Sequence, residues 1–109
     1  MKYIVIYTFM FFVNNVFADG DSNGGTIVHV ASVDNAILFR VSGNTESDRP
    51  ICASTGRFSV QKDSPHAPLI LTAFATGTKL GNVRGLGSCN IWGNSEDLRW
   101  IEVCPLLGC

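Results

Sequence analysis

Neither sign of charge predominates in this chain: Lys and Arg number 8 against 9 Asp and Glu, and no run of either forms. A partner held by long-range charge, nucleic acid or an anionic lipid surface, requires a basic face, so neither is expected. No apolar run approaches the roughly 20 residues that a helix needs to cross a bilayer, which argues against membrane insertion. The redox motif C-x-x-C and the nucleophile elbow G-x-S-x-G are missing, as are sequons, repeats and low-complexity tracts. Aromatic residues are scarce where they would matter. Both Tyr and six of the eleven aromatics fall in residues 1–18, leaving Phe39, Phe58, Phe74, Trp92 and Trp100 to build a core. A chain of 109 residues has room for one ordinary domain, and a core this small is expected to need covalent staples.

What is present begins with an export signature. Lys2 precedes an apolar run of about 11 residues, and Val16-Phe17-Ala18 ends the segment with small residues at the −3 and −1 positions that a signal peptidase reads. Residues 1–18 are therefore expected to be a signal peptide, cleaved after Ala18, and the protein to be secreted or periplasmic. Loss of Lys2 leaves 7 basic and 9 acidic residues, a net charge of −2. Cys52, Cys89, Cys104 and Cys109 all lie in the exported part, where an even number of cysteines reads as disulfides. Their spacings of 37, 15 and 5 do not suit zinc, and no metal or cofactor is expected. Of the three connectivities, Cys52–Cys89 with Cys104–Cys109 is preferred. It joins two predicted strands and closes a short loop at the terminus, although spacing alone does not decide the pairing.

Residues 19–25 are polar and glycine-rich and read as a leader. The alternation from Ile27 to Val33 predicts a strand, Asp34-Asn35 a two-residue turn, and Ile37, Phe39 and Val41 the buried face of a second strand. Residues 43–49 read as a polar loop and 50–60 as one interrupted strand or two short ones. Asp63 or Ser64 followed by Pro65 predicts a helix start; Ala67, Ile70, Leu71 and Phe74 form its apolar stripe, and Gly77 is its left-handed stop. After the helix come residues 79–84, a strand-to-strand bend at Gly85-Leu86-Gly87, residues 88–92, a turn at 94–97 and a last strand at 98–103, so that the final part is divided by a tight hairpin. The order β-β-β-α-β-β predicts an all-β to α+β class and a small, disulfide-stapled OB-fold-like β-barrel over residues 19–103, with 104–109 as a disulfide-closed tail. A ferredoxin-like fold is the runner-up, weakened because the turn at Asp34-Asn35 leaves no room for its first helix.

Several stretches carry a family resemblance: Arg49-Pro50-x-Cys52-Ala53, Arg57-Phe58-Ser59, the helix end Ala75-Thr76-Gly77-x-Lys79, and Gly85-Leu86-Gly87-Ser88-Cys89-x-x-Trp92-Gly93-Asn94-Ser95-Glu96. Over about residues 26–103 the chain resembles small secreted bacterial proteins of unassigned activity. These are similar in turn to the B subunits of subtilase-cytotoxin and pertussis-like AB5 toxins. The resemblance implies a non-enzymatic subunit that binds cell-surface glycans, assembles as a homopentamer and carries a toxic A chain. No glycan-contact motif of those subunits falls on matching positions here, so no binding residue is carried over, and residues 104–109 have no counterpart.

The residues themselves offer little for catalysis. His29 alternates with Val28 and Val30 along a strand, His66 lies in the first helical turn, and Ser88 sits beside a cysteine without a base. No catalytic residue is assigned. Gly85-Leu86-Gly87 lacks the following helix that a phosphate loop requires. Trp92 and Trp100 are better sugar-stacking residues, since an indole covers the C–H face of a pyranose. Around the turn at 94–97, Asn94, Glu96 and Arg99 could supply hydrogen bonds. A four-residue turn sets Trp92 opposite Arg99 and Trp100 opposite Ile91, placing Trp92 outward and Trp100 in the core, and a bulge reverses that. Trp92, Asn94, Glu96 and Arg99 are therefore the expected ligand contacts. The alternative function is a secreted or periplasmic OB-like domain that binds another protein.

Overall fold

The computed structural model describes residues 19–104, so the expected signal peptide and the last five residues lie outside the described part. Five strands and one helix follow in order: β1 (Asp21–Val33), β2 (Ala36–Ser47), β3 (Phe58–Gln61), α1 (His66–Thr76), β4 (Leu80–Gly85) and β5 (Glu96–Val103). They form one sheet in the order β1-β2-β3-β5-β4, closed into a ring by pairing of Asp21–Asn23 with Arg84–Asn82. All neighbours are antiparallel except β3 and β5.

The polar segment at 21–25 is not a leader but the first part of β1, because its backbone groups pair with both β2 and β4. Gly24 and Gly25 adopt φ of 79° and 81°, which bends the strand while it keeps its partners. A Cβ on Gly25 would strike the Ser42 carbonyl. The expected loop at 43–49 is likewise mostly strand, since β2 runs on to Ser47. The turn at Asp34-Asn35 forms as read, with Val33 opposite Ala36 and Asp34 at φ 44°.

A register shift between Ile27 and His29 breaks the simple alternation of β1. Ile27 is buried, Val30 packs on the core, and Val28 is about half exposed. Ile37, Phe39 and Val41 face inward as expected, and the Phe39 and Phe58 rings stack with centroids 5.5 Å apart. Of the strand expected at 50–60 only the part from Phe58 onward forms; Ile51 is 99% exposed in a turn. No strand forms at 88–92, where the chain makes a loop closed by a single bridge between Trp92 and Ser95.

Helix α1 starts after Pro65, with Ser64 Oγ accepting the His66 N–H, and stops at Gly77, φ 66°. Its inward residues are Ala67, Ile70 and Ala73. Leu71 and Phe74, expected inside, are 44% and 43% exposed, so the stripe runs i, i+3, i+6. The small Ala67 and Ala73 let the helix approach the sheet closely, and Ile70 alone fills the gap.

Cys52 and Cys89 are bonded, with Cα atoms 6.1 Å apart. The bridge spans 37 positions and ties the turn region after β2 to the loop after β4, although neither cysteine is in a strand. In the loop-entropy model such a closure stabilises by about 3–4 kcal/mol. Cys104 is also disulfide-bonded; Cys109, its expected partner, lies outside the described residues.

Candidate functional site

Two adjacent acids at the start of β5 organise the region in which a site was expected. Glu96 is 0% exposed. Gly20 N–H (2.8 Å) and Gly87 N–H (2.9 Å) donate to Oε2, and Arg49 Nε donates to Oε1 at 2.7 Å. The Arg49 guanidinium also donates to the carbonyls of Gly56 and Arg57, and lies 3.9 Å from the Phe58 ring centroid. A Cβ on Gly20 or Gly85 would run into the Glu96 carboxylate, so both glycines make room for it. Glu96 is therefore an internal tie and has no access to a surface sugar, which corrects its expected role.

Asp97 points the other way and gathers the loop that follows β4. Its carboxylate accepts Ser88 Oγ (2.7 Å) and the backbone N–H groups of Asn90 (3.0 Å) and Ile91 (2.9 Å). With the Cys52–Cys89 bond, this fixes the segment that presents Trp92. Ile91 and Trp92 lie beside Ala36 and Gln61, where they line a cavity of about 230 Å³ with Asp34, Asn35 and Asn90. Trp92 is only partly exposed. Asn94 is tied inward, its Oδ1 accepting Arg57 Nη2 and Ser95 Oγ. Arg99 is exposed and ion-paired with Asp19 at 3.1 Å. The expected quartet thus divides between a loop, the interior of the ring and a separate surface.

Trp100 is the more exposed indole, at 42%, which reverses the expected assignment. The cause is a bulge: Gly85 pairs with Leu98 but Arg84 pairs with Trp100, so Arg99 is an extra residue on β5. Leu98 and Ile101 then face inward and Trp100 outward, on the outer face of β1, β4 and β5. There Trp100 Nε1 donates to Asn82 Oδ1 at 2.7 Å. Asn82 Nδ2 in turn donates to Asp21 Oδ1 (2.6 Å) and Asn23 Oδ1 (3.1 Å), and its backbone N–H donates to Glu102. Arg84, cross-strand neighbour of Trp100, is 3.5 Å from Asp21. An indole held by its edge, with carboxylate, carboxamide and guanidinium groups around it, is the constellation expected near Trp92, built from other residues. Only the bulge hid it, since nothing in the residues 98–101 announces one.

The imidazoles of His29 and His66 make no hydrogen bond among the described residues, and Ser88 Oγ is committed to Asp97 without a base beside it. Among the described residues no three His, Cys, Asp or Glu side chains gather as a metal-binding group, and no helix is long and apolar enough to cross a membrane. The chain matches no family model, no curated protein and no solved structure.

Proposed function

We propose that this chain is an exported, non-enzymatic glycan-binding module, and that its ring of strands is an OB-like barrel presenting the Trp100 face to the ligand. One observation carries the reading: the Trp100 indole is exposed yet held in place by Asn82, between groups that can bond to sugar hydroxyls. A fixed aromatic face binds a pyranose at low entropic cost, because few rotamers are lost on contact. The ring order, with the helix between the third and fourth strands, and the disulfide support the barrel and the exported setting respectively. A flat site stacking one ring has millimolar affinity, and binding to cells then depends on several copies; linkage raises avidity by about 10²–10⁴. A homopentamer carrying an A chain, as in the toxin B subunits, is the form of multivalency in this proposal.

The test is Trp100→Ala, displayed multivalently on a glycan array. Retained folding with loss of signal supports the site. An array without hits for the multivalent wild-type domain refutes the glycan reading. The second reading is a protein-binding domain, favoured by Leu69, Leu71 and Phe74, each more than 40% exposed on the outer face of α1. Light scattering on the mature protein, followed by pull-down with Phe74→Glu as the control, separates the two.

A further inference from the structure

The cavity beside Trp92 is distinct from the Trp100 face, and its polar side chains are in a different state. Around Trp100 the carboxylates and amides are bonded to one another. Around Trp92 they are not: the side chains of Asn35, Gln61 and Asn90 make no hydrogen bond among the described residues, and neither does the Trp92 indole N–H. The cavity of about 230 Å³ shares Asn35 and Gln61 with an adjoining recess of about 300 Å³ whose described lining also includes Lys62 and Asp63. Three exposed carboxamides without protein partners and a partly exposed indole line one open recess, which leaves donors and acceptors on its walls for a ligand.

We infer that this pocket is a second carbohydrate site, for a single terminal hexopyranose without charge. The inference rests on the glycan reading above. Shape sets the first part: an open sheet face lets a glycan chain continue in both directions past Trp100, whereas a pocket backed by Ala36 and Ile91 accepts one ring end. Charge sets the second: Asp34 and Asp63 outnumber Lys62 around the two recesses, which disfavours a carboxylated sugar. Carboxamides both donate and accept, so they match neighbouring hydroxyls of either orientation. The loop needs no reorganisation to bind, because Asp97 and the disulfide already hold it.

The mature protein has two tryptophans, so two indole N–H signals in a ¹H–¹⁵N spectrum report the two sites separately. The probes are the methyl glycosides of glucose, galactose and mannose, then linear oligosaccharides, with Trp92→Phe and Trp100→Phe assigning the peaks. At least one neutral methyl glycoside should shift the Trp92 signal saturably in the millimolar range, unchanged in Trp100→Ala. Gln61→Ala with Asn90→Ala, both exposed positions, should weaken that response about tenfold or more. If the oligosaccharides move only Trp100 and no monosaccharide moves Trp92, the pocket inference is wrong and the glycan reading stands. If neither signal moves with any sugar, both fail. A stronger Trp92 response to methyl glucuronide than to every neutral glycoside overturns the assignment to uncharged sugars.

Discussion

Replacing Glu96 tests the internal tie that joins the start of β5 to Gly20, Gly87 and Arg49. Its carboxylate accepts three hydrogen bonds at 2.7–2.9 Å and sees no solvent. Glutamine at this position keeps an oxygen for Gly20 and Gly87, but its NH₂ then faces the Arg49 Nε–H, donor against donor. Breaking a buried pair by changing one partner costs about 3–5 kcal/mol. Arg49 keeps its bonds to Gly56 and Arg57 and its contact with Glu46 at 3.1 Å, which places Glu96→Gln near the lower end, about 3 kcal/mol. Glu96→Ala also leaves the buried Gly20 N–H and the partly buried Gly87 N–H without their acceptor, and about 4–5 kcal/mol is expected. A domain of this size has roughly 5–15 kcal/mol in total, so either variant moves the urea midpoint far. Tryptophan fluorescence during urea unfolding measures it. The double variant Glu96→Gln/Arg49→Met should lose less than the two singles together, by roughly 1–3 kcal/mol, because the partners share one interaction. A loss below about 1 kcal/mol for Glu96→Gln, or strict additivity, refutes the tie.

Gly85→Ala should destabilise by about 2 kcal/mol or more, since its Cβ meets the Glu96 carboxylate, a side-chain end that three hydrogen bonds and full burial hold in place, and the penalty should shrink in a Glu96→Ala background. Ile70→Ala should cost about 2–5 kcal/mol because Ile70 is 0% exposed among the strands, whereas Phe74→Ala should cost about 1 kcal/mol or less; thermal melts of the two, ranked in the opposite order, would return Phe74 to the core.

Much of the architecture was legible because it rests on local rules. The Asp34-Asn35 turn, the Pro65 start and Gly77 stop of α1, and the inward set Ile37, Phe39 and Val41 each follow from a short pattern, whereas the Cys52–Cys89 pairing, 37 positions apart, is in the sequence a preference among three pairings that no local pattern decides. Residues 21–25 and 43–47 read as leader and loop because their glycines and polar residues suggest loops. They are strand because long-range pairing, β1 with β4 above all, satisfies their backbone groups. The helix face lies one step from the one that hydrophobicity predicts: Leu71 and Phe74 fit an amphipathic stripe as well as Ala73 does, and the larger residues win on hydrophobicity alone. Close approach to the sheet favours the small ones instead.

The site was less legible for a reason that one strand makes clear. Without a bulge, strict alternation from Leu98 would put Trp100 inward and Arg99 outward, and Glu96 would share the inner face with both. Glu96 does face inward, tied to Gly20, Gly87 and Arg49, and Leu98 follows it in register. The slip comes only after Leu98, where Arg99 is inserted and pairs with Asp19 at the surface while Ile101 takes the core position. A single extra residue therefore exchanges a buried indole for an exposed one, at the place where Arg84, Asp21 and Asn82 wait on the neighbouring strands. Every one of those partners comes from β1 or β4, 16 or more positions away in the chain, so no window around Trp100 contains the information. Removing Arg99 tests this directly. Deletion should leave Leu98 opposite Gly85, Trp100 opposite Arg84 and Ile101 inward, so a folded deletion variant should keep an unshifted Trp100 emission that acrylamide quenches, and a blue-shifted, shielded Trp100 would show that Arg99 is not the extra residue.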